Sequence, residues 1–256
     1  MEILLIMSSL HMKASSDQVA KYVIFSGDPW RIEVIKEYLD NPVQIAFARE
    51  YNTYTGTYKG VPVTVTSTGI GAPSAAIAME EMYECGMEVA VRMGTTMSLN
   101  DDLLGKFIIP IGAMREESTS ETYVPSTYPA VADFELIQAM NKATTMLGSQ
   151  YDNGINCTMD GFYSQMRESR LSKQIGTNIH QTFEDLKKYN ISCIDMESSC
   201  MLTVGRLMNV KTCVVTMVTV LENLKQVLEG EIRTQSEDLL CRVTLEGIYQ
   251  FHQSKQ

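Results

Sequence analysis

Strand-like and helix-like segments alternate along the whole chain, and no other feature limits its fold so tightly. "KYVIF" (21–25) reads as a strand and "RIEVIKEYL" (31–39) as a short amphipathic helix. "VQIAF" (43–47) and "VPVTVTST" (61–68) are rich in β-branched residues and strand-like. "PSAAIAMEEMYECG" (73–86) reads as a helix stopped by Gly86. Two more strands follow, "VAVRMG" (89–94) and "KFIIPIGA" (106–113), and then the helix "DFELIQAMNKATTML" (133–147). "SSCMLTVGRLM" (198–208), "KTCVVTMVTV" (211–220) and "SEDLLCRVTLEGIYQFH" (236–252) add a helix, a strand and a closing helix. The order predicts an α/β fold with a largely parallel sheet covered by helices. "TYTGTYKGVPVTVTST" departs from it, because Lys59-Gly60 separates two alternating runs as in a hairpin. The sheet is therefore expected to be mixed. With no repeat, low-complexity tract or linker, one domain over residues 1–256 is the simplest organisation.

Composition narrows the partners. Apolar residues make up 45% of the 256 and charged residues 20%, enough for a large core. A net charge of −10 argues against nucleic acid and anionic membrane as partners. An anionic ligand would have to be held by a local cluster of arginines. None of the six cysteines has CxxC or zinc-ligand spacing, and buried free thiols in a reducing compartment are expected. The apolar patch in "MEILLIMSS" is led by Glu2 and is shorter than a usual signal segment. No run approaches membrane-spanning length, and a cytoplasmic protein is expected.

Open α/β sheets bind ligands at the carboxyl ends of strands. There "VIFSGDPWR" (23–31) offers Gly27, Asp28 and Arg31, "FAREY" offers Arg49 and Glu50, "STGIGAPS" (67–74) places glycines before a helix, and "VRMGTTMS" offers Arg92, Gly94, Thr95 and Thr96. Each arginine alone also reads as a surface residue or ion-pair partner, and Gly-Asp-Pro as a simple turn. Taken together, they suit a phosphate-type anion, since Arg gives planar multi-donor contact and Thr and backbone N–H groups complete a cradle. Gln165 and Arg167 alternate in "DGFYSQMRES" (160–169) and suit the edge of a carbonyl-bearing heterocycle, or an exposed loop. Glu197 in "IDMESS" (194–199) suits a pair of neighbouring hydroxyls such as a ribose diol, or capping of the helix that follows.

The motifs "GDPWR", "REY", "STGIGAPS", "VRMGTT", "YPAVADFE", "FYSQMR" and "DMESS", in this order, resemble the uridine phosphorylase branch of the nucleoside phosphorylase family. The resemblance runs from about His11 into the last helix. It implies a single α/β domain around a mixed, barrel-like sheet flanked by helices, assembled as a homodimer or as a hexamer of three dimers with shared active sites. The implied activity is that of a pentosyltransferase of nucleoside salvage: uridine and phosphate give uracil and ribose 1-phosphate, with no organic cofactor. The same resemblance assigns phosphate to Gly27, Arg31, Arg92 and Thr95, with Arg49 reaching in from the neighbouring subunit. It assigns ribose to Met196 and Glu197, with His11 on the 5′-hydroxyl across the dimer, and the base to Phe162, Gln165 and Arg167. Glu50, Ile70 and Ser74 match positions that hold a monovalent cation in some members. Catalysis would fall to Arg92, Thr95, Gln165, Arg167 and Glu197. Asp28 is expected to be structural.

The chain departs from the family pattern in several places. Met97 stands where the pattern has glycine, so crowding or a strained backbone is expected there. Leu221 and Glu222 stand near a usual Asn-Arg pair, so the charge is reversed. "FYSQMR" is one residue short, which shifts Gln165. Asp195 replaces Glu. Residues 218–230 contain no Asp, whereas purine-directed relatives use one there, and this favours a pyrimidine. The departures leave open a phosphorylase of another nucleoside (a purine or deoxyuridine) and a non-catalytic paralogue.

Overall fold

A computed structural model describes residues 8–256; the apolar patch at residues 1–7 lies outside them. Strand β1 (Tyr22–Ser26) lies between two parallel neighbours, β4 (Val61–Ser67) and β5 (Val89–Ser98). It is buried on both faces, which is why its sequence is apolar without alternation. Val23 and Phe25 enter one core cluster with Ala75, Met79 and Met82 of helix α2 (Ala72–Glu84), and with Met201 and Val204 of α6 (Ser198–Leu207). Ile24 enters the opposite cluster, with Ile32 of α1 (Pro29–Ile35), Met140 of α3 (Phe134–Met146) and Leu245 of α7 (Gly230–Gln253). The period of two along one strand thus builds a core on each side of the sheet.

Strands β2 (Asp40–Ala48), β3 (Tyr51–Tyr58) and β4 form the expected antiparallel ribbon. Lys59 and Gly60 both have positive φ, 49° and 80°, which matches the twist of a two-residue hairpin turn. The long strand β12 (Lys211–Leu221) lies parallel to β5 along one edge. On the other edge β5 changes partner. β1 accompanies it only from Val89 to Arg92, and β11 (Ile191–Asp195) joins antiparallel at Met97 and Ser98. From β11 the sheet continues through β10 (Ile155–Met159) to β7 (Gly112–Glu116) and β8 (Ala130–Val131). β6 (Phe107–Ile108) and β9 (Tyr151–Asp152) extend it beyond β12.

Several expected boundaries move. "KFIIPIGA" splits into β6 and the start of β7, because Pro110 donates no ladder hydrogen bond. The helix expected over 31–39 ends at Ile35 and continues as a 3₁₀ turn, Lys36–Tyr38. The last helix begins at Gly230, six residues before its expected start. Helices α4 (Arg170–Ile175) and α5 (Ile179–Lys188) were not predicted from the sequence. All six cysteines are buried and unpaired, and burial pushes the Cys157 thiol up to about 12. No helix among the described residues is long and apolar enough to cross a membrane.

Candidate active site

The partner change along β5 opens the sheet beside residues 93–96. An open cavity of about 690 Å³ lies there, within the size range of small-molecule sites. Its walls come from the ends of β1, β5, β11 and β12, the turn before α2, the turn after β10 and the start of α7. This is the position that open α/β sheets reserve for ligands.

Three arginines reach one end of it. Arg92 is 4% exposed and lies between two carboxylates: Nε donates to Asp195 at 3.0 Å and Nη2 to Glu197 at 2.5 Å. Nη1 has no protein partner among the described residues. Gly94 lacks the Cβ that would stand 3.1 Å from that same Nη1, so the guanidinium lies directly on the strand. Burial disfavours the charge on Arg92, but Glu197 and Asp195 outweigh it and hold the pKa above its usual value. Arg31, 5% exposed, donates from Nη1 to Ser26 at 2.9 Å and from Nη2 to Glu237 at 3.2 Å. Its buried Nε has no partner. A buried unpaired donor costs roughly 1–3 kcal/mol, which an anion in the cavity would recover. The third arginine, Arg233, was missed in the sequence because it precedes the expected helix start. Its Nε shares Oε1 of Glu237 with Arg31, at 2.7 Å. Burial opposes ionisation of Glu237, but the two arginines outweigh it and keep the carboxyl below its usual range.

Glu197 is buried beside them. One carboxylate oxygen accepts the Gly71 N–H at 2.6 Å and the other faces Arg92. Its side chain does not cap α6, so the capping alternative fails. That work falls to Asp195, which accepts from Ser198 and Thr158 while it holds Arg92. Burial raises the Glu197 pKa, Arg92 opposes this, and nearby Asp195 adds to the rise. Asp28 caps α1 by accepting from the Trp30 N–H, and it also lines the cavity. Gly27, Thr95 and Met196 line the cavity, as do Glu50 and Ile70; Ser74 lies behind, donating to Glu50 at 2.9 Å.

The other end is apolar. Met97, Met166, Met196, Phe162 and Val220 line it and belong to one hydrophobic cluster. Met97 pairs with Ile194 and, just past a bulge at Thr219, with Val220, and it lacks positive φ, so the expected backbone strain is absent. Of the expected base contacts, only Phe162 is brought to the cavity. Residues Phe162–Met166 wind into a π-helical turn, and Gln165 accepts the Gly161 N–H of its own loop at 2.7 Å. Arg167 is exposed and stands 6.0 Å over the Tyr163 ring. The sequence places Gln165 and Arg167 at the base; the structure turns both away from the cavity, and the residue between them, Met166, lines it instead. Glu222 also points away, paired with Lys187 and Lys225. Arg49 is exposed on the β2–β3 turn, and His11 contacts Glu81 at 2.6 Å; neither lines the cavity.

The Phosphorylase superfamily profile matches residues 21–245. A uridine phosphorylase from Thermococcus kodakarensis is 38% identical over 77% of this chain and 72% of its own length. The crystal structure of uridine phosphorylase from Vibrio fischeri superposes with a TM-score of 0.78 at 31% identity, covering 97% of this chain and 98% of that one. A purine nucleoside phosphorylase from Toxoplasma gondii, in complex with immucillin-H, superposes with a TM-score of 0.83 at 26% identity, covering 96% and 97%.

Proposed function

The chain belongs to the phosphorylase superfamily, and from that premise we propose that it cleaves uridine reversibly with inorganic phosphate, yielding uracil and ribose 1-phosphate. The observation that carries this reading is the buried Arg92, clamped by Asp195 and Glu197 next to Arg31 in one cavity. Phosphate lies among Gly27, Arg31, Arg92 and Thr95. Each buried arginine retains uncommitted N–H groups for it, among them Nε–H of Arg31 and the two on Nη1 of Arg92. Glu197 accepts the ribose 2′- and 3′-hydroxyls through its remaining lone pairs, and Met196 packs on the sugar. As the C1′–N1 bond stretches, positive charge grows on the ribose. Glu197 lies near that charge through the hydroxyls it holds, and phosphate, held on the face of the ribose opposite the departing base, captures C1′. Positioning of this kind supplies much of the rate, and preorganised charge supplies most of the rest. The base lies against Phe162, Met97, Met166 and Val220.

The active unit is a dimer or a larger ring of dimers, in which Arg49 and His11 serve the site of a second copy. The position of the exposed Arg49 and the half-buried His11 outside their own cavity supports this, as do the exposed Ile70 on its lining and Trp30 beside it. With its Nδ1–H on Glu81, His11 retains Nε2 for a sugar hydroxyl. Glu50, Ile70 and Ser74 provide oxygen donors of the hard type that a monovalent cation takes at such an interface.

The test is to incubate the protein with uridine, with and without phosphate, and follow uracil by ultraviolet absorbance. Phosphate-dependent release is expected. Folded protein that releases no uracil with phosphate present would sink the proposal.

A further inference from the structure

We infer that the base end of the cavity selects by shape and leaves the hydrogen-bonding edge of the base unread. The substrate class then widens to nucleosides whose base edges differ, N3-substituted uridines and purine nucleosides among them. This rests on the phosphorolysis reading and concerns only what the site accepts as the leaving base.

Four observations converge. The residues that could read a carbonyl-and-imide edge are turned away. The Gln165 amide is tied to Gly161 within its own turn, and Arg167 stands exposed over Tyr163. Glu222 is paired with lysines outside the cavity. What faces the base is a wall of two thioethers (Met97 and Met166), one phenyl ring and one valine, with the Met196 thioether next to it at the sugar. Methionine is unbranched and polarizable, and it reshapes to fit different partners. The polar side chains at this end are hydroxyls. Thr96 donates its own to the Ile194 carbonyl, and the Thr219 hydroxyl can donate or accept, so it cannot tell an oxo from an amino group.

The magnitudes separate this arrangement from an edge-reading one. A hydrophobic pocket distinguishes ligands by roughly 10–200-fold, whereas a site that hydrogen-bonds a substrate rejects an analogue lacking the group by about 10⁴–10⁵. 3-Methyluridine is the probe, because its methyl group replaces the imide N–H that a polar reader would grip.

The experiment compares kcat/KM for uridine, 3-methyluridine and inosine at saturating phosphate. Ratios to uridine within about 200-fold are expected. A larger drop for 3-methyluridine would mean that a polar reader assembles around the bound base, and would overturn the inference. Calorimetric titration of uridine and 3-methyluridine in the absence of phosphate gives the same contrast without turnover. Affinities within about 200-fold support the inference and a wider gap overturns it, whatever becomes of the phosphorolysis reading. The variant Met166→Gln places an amide on the wall. It is expected to increase discrimination against 3-methyluridine by about tenfold or more; an unchanged ratio in the folded variant would contradict the position of Met166 at the base edge.

Discussion

The two ends of the cavity are built differently. The cationic end stands on α1, β5 and α7; Arg31 and Arg92 are fixed by the buried Ser26, Asp195 and Glu197, and Arg233 by the half-buried Glu237. The apolar end depends on a short π-helical turn and on side chains with several rotatable bonds. Charge requires a rigid frame, because a misplaced guanidinium in a low-dielectric site costs several kcal/mol. Apolar contact is non-directional and tolerates adjustment. The difference suggests that the anion and the sugar are fixed in place and the base is accommodated.

Substitutions at the rigid end should therefore cost most. Arg92→Ala leaves Asp195 and Glu197 as buried like charges, with an expected loss of about 3–5 kcal/mol in stability and of essentially all phosphorolysis. Denaturant unfolding and uracil release measure the two. Glu197→Gln should separate them, lowering kcat/KM by about 10²–10³ with little change in melting temperature. The Glu197 carboxyl is raised in the fold by burial, so folding takes up a proton there. Its contribution to stability is fully present below the ordinary value of 4.5 and is lost as pH rises through the folded pKa. The glutamine variant should lack that slope in a pH series of melts. In the parent protein, activity should fall on acidification at a pH above the ordinary carboxylate range.

Arg233→Met is expected to raise the KM for phosphate about five- to tenfold and that for uridine less, since Glu237 would then neutralise Arg31 alone. Equal effects on both KM values would contradict its position at the anion end. At the flexible end the smallest effect is expected: Gln165→Ala with Arg167→Ala should change kcat/KM for uridine by less than about threefold. A hundredfold loss would remove the contrast between the two ends.

How far the sequence could be read follows the same division. β1, the Lys59-Gly60 hairpin and the residues Arg31, Arg92, Thr95 and Glu197 were legible because they sit at strand ends with strong local signals. Arg233 was not, since nothing local marks a helix start at Gly230 or brings that turn to the mouth of a distant strand. Gln165 was misplaced because alternation gives a period but no phase. A loop shortened by one residue exchanges inside for outside, and only the packing of Met166 against Phe183 and Ile194 in one core decides which.

The interrupted edge of β5 has a consequence for exchange with solvent. β1 pairs with it up to Arg92 and β11 resumes at Met97, so the amides between them that face away from β12 lack a strand neighbour. They lie in a largely buried strand and still open directly onto the cavity. In deuterated buffer they should exchange quickly in the free protein and slowly once phosphate is bound, while the rest of β5 remains protected in both states. Those few amides would then report occupancy of the site in the absence of any catalytic turnover.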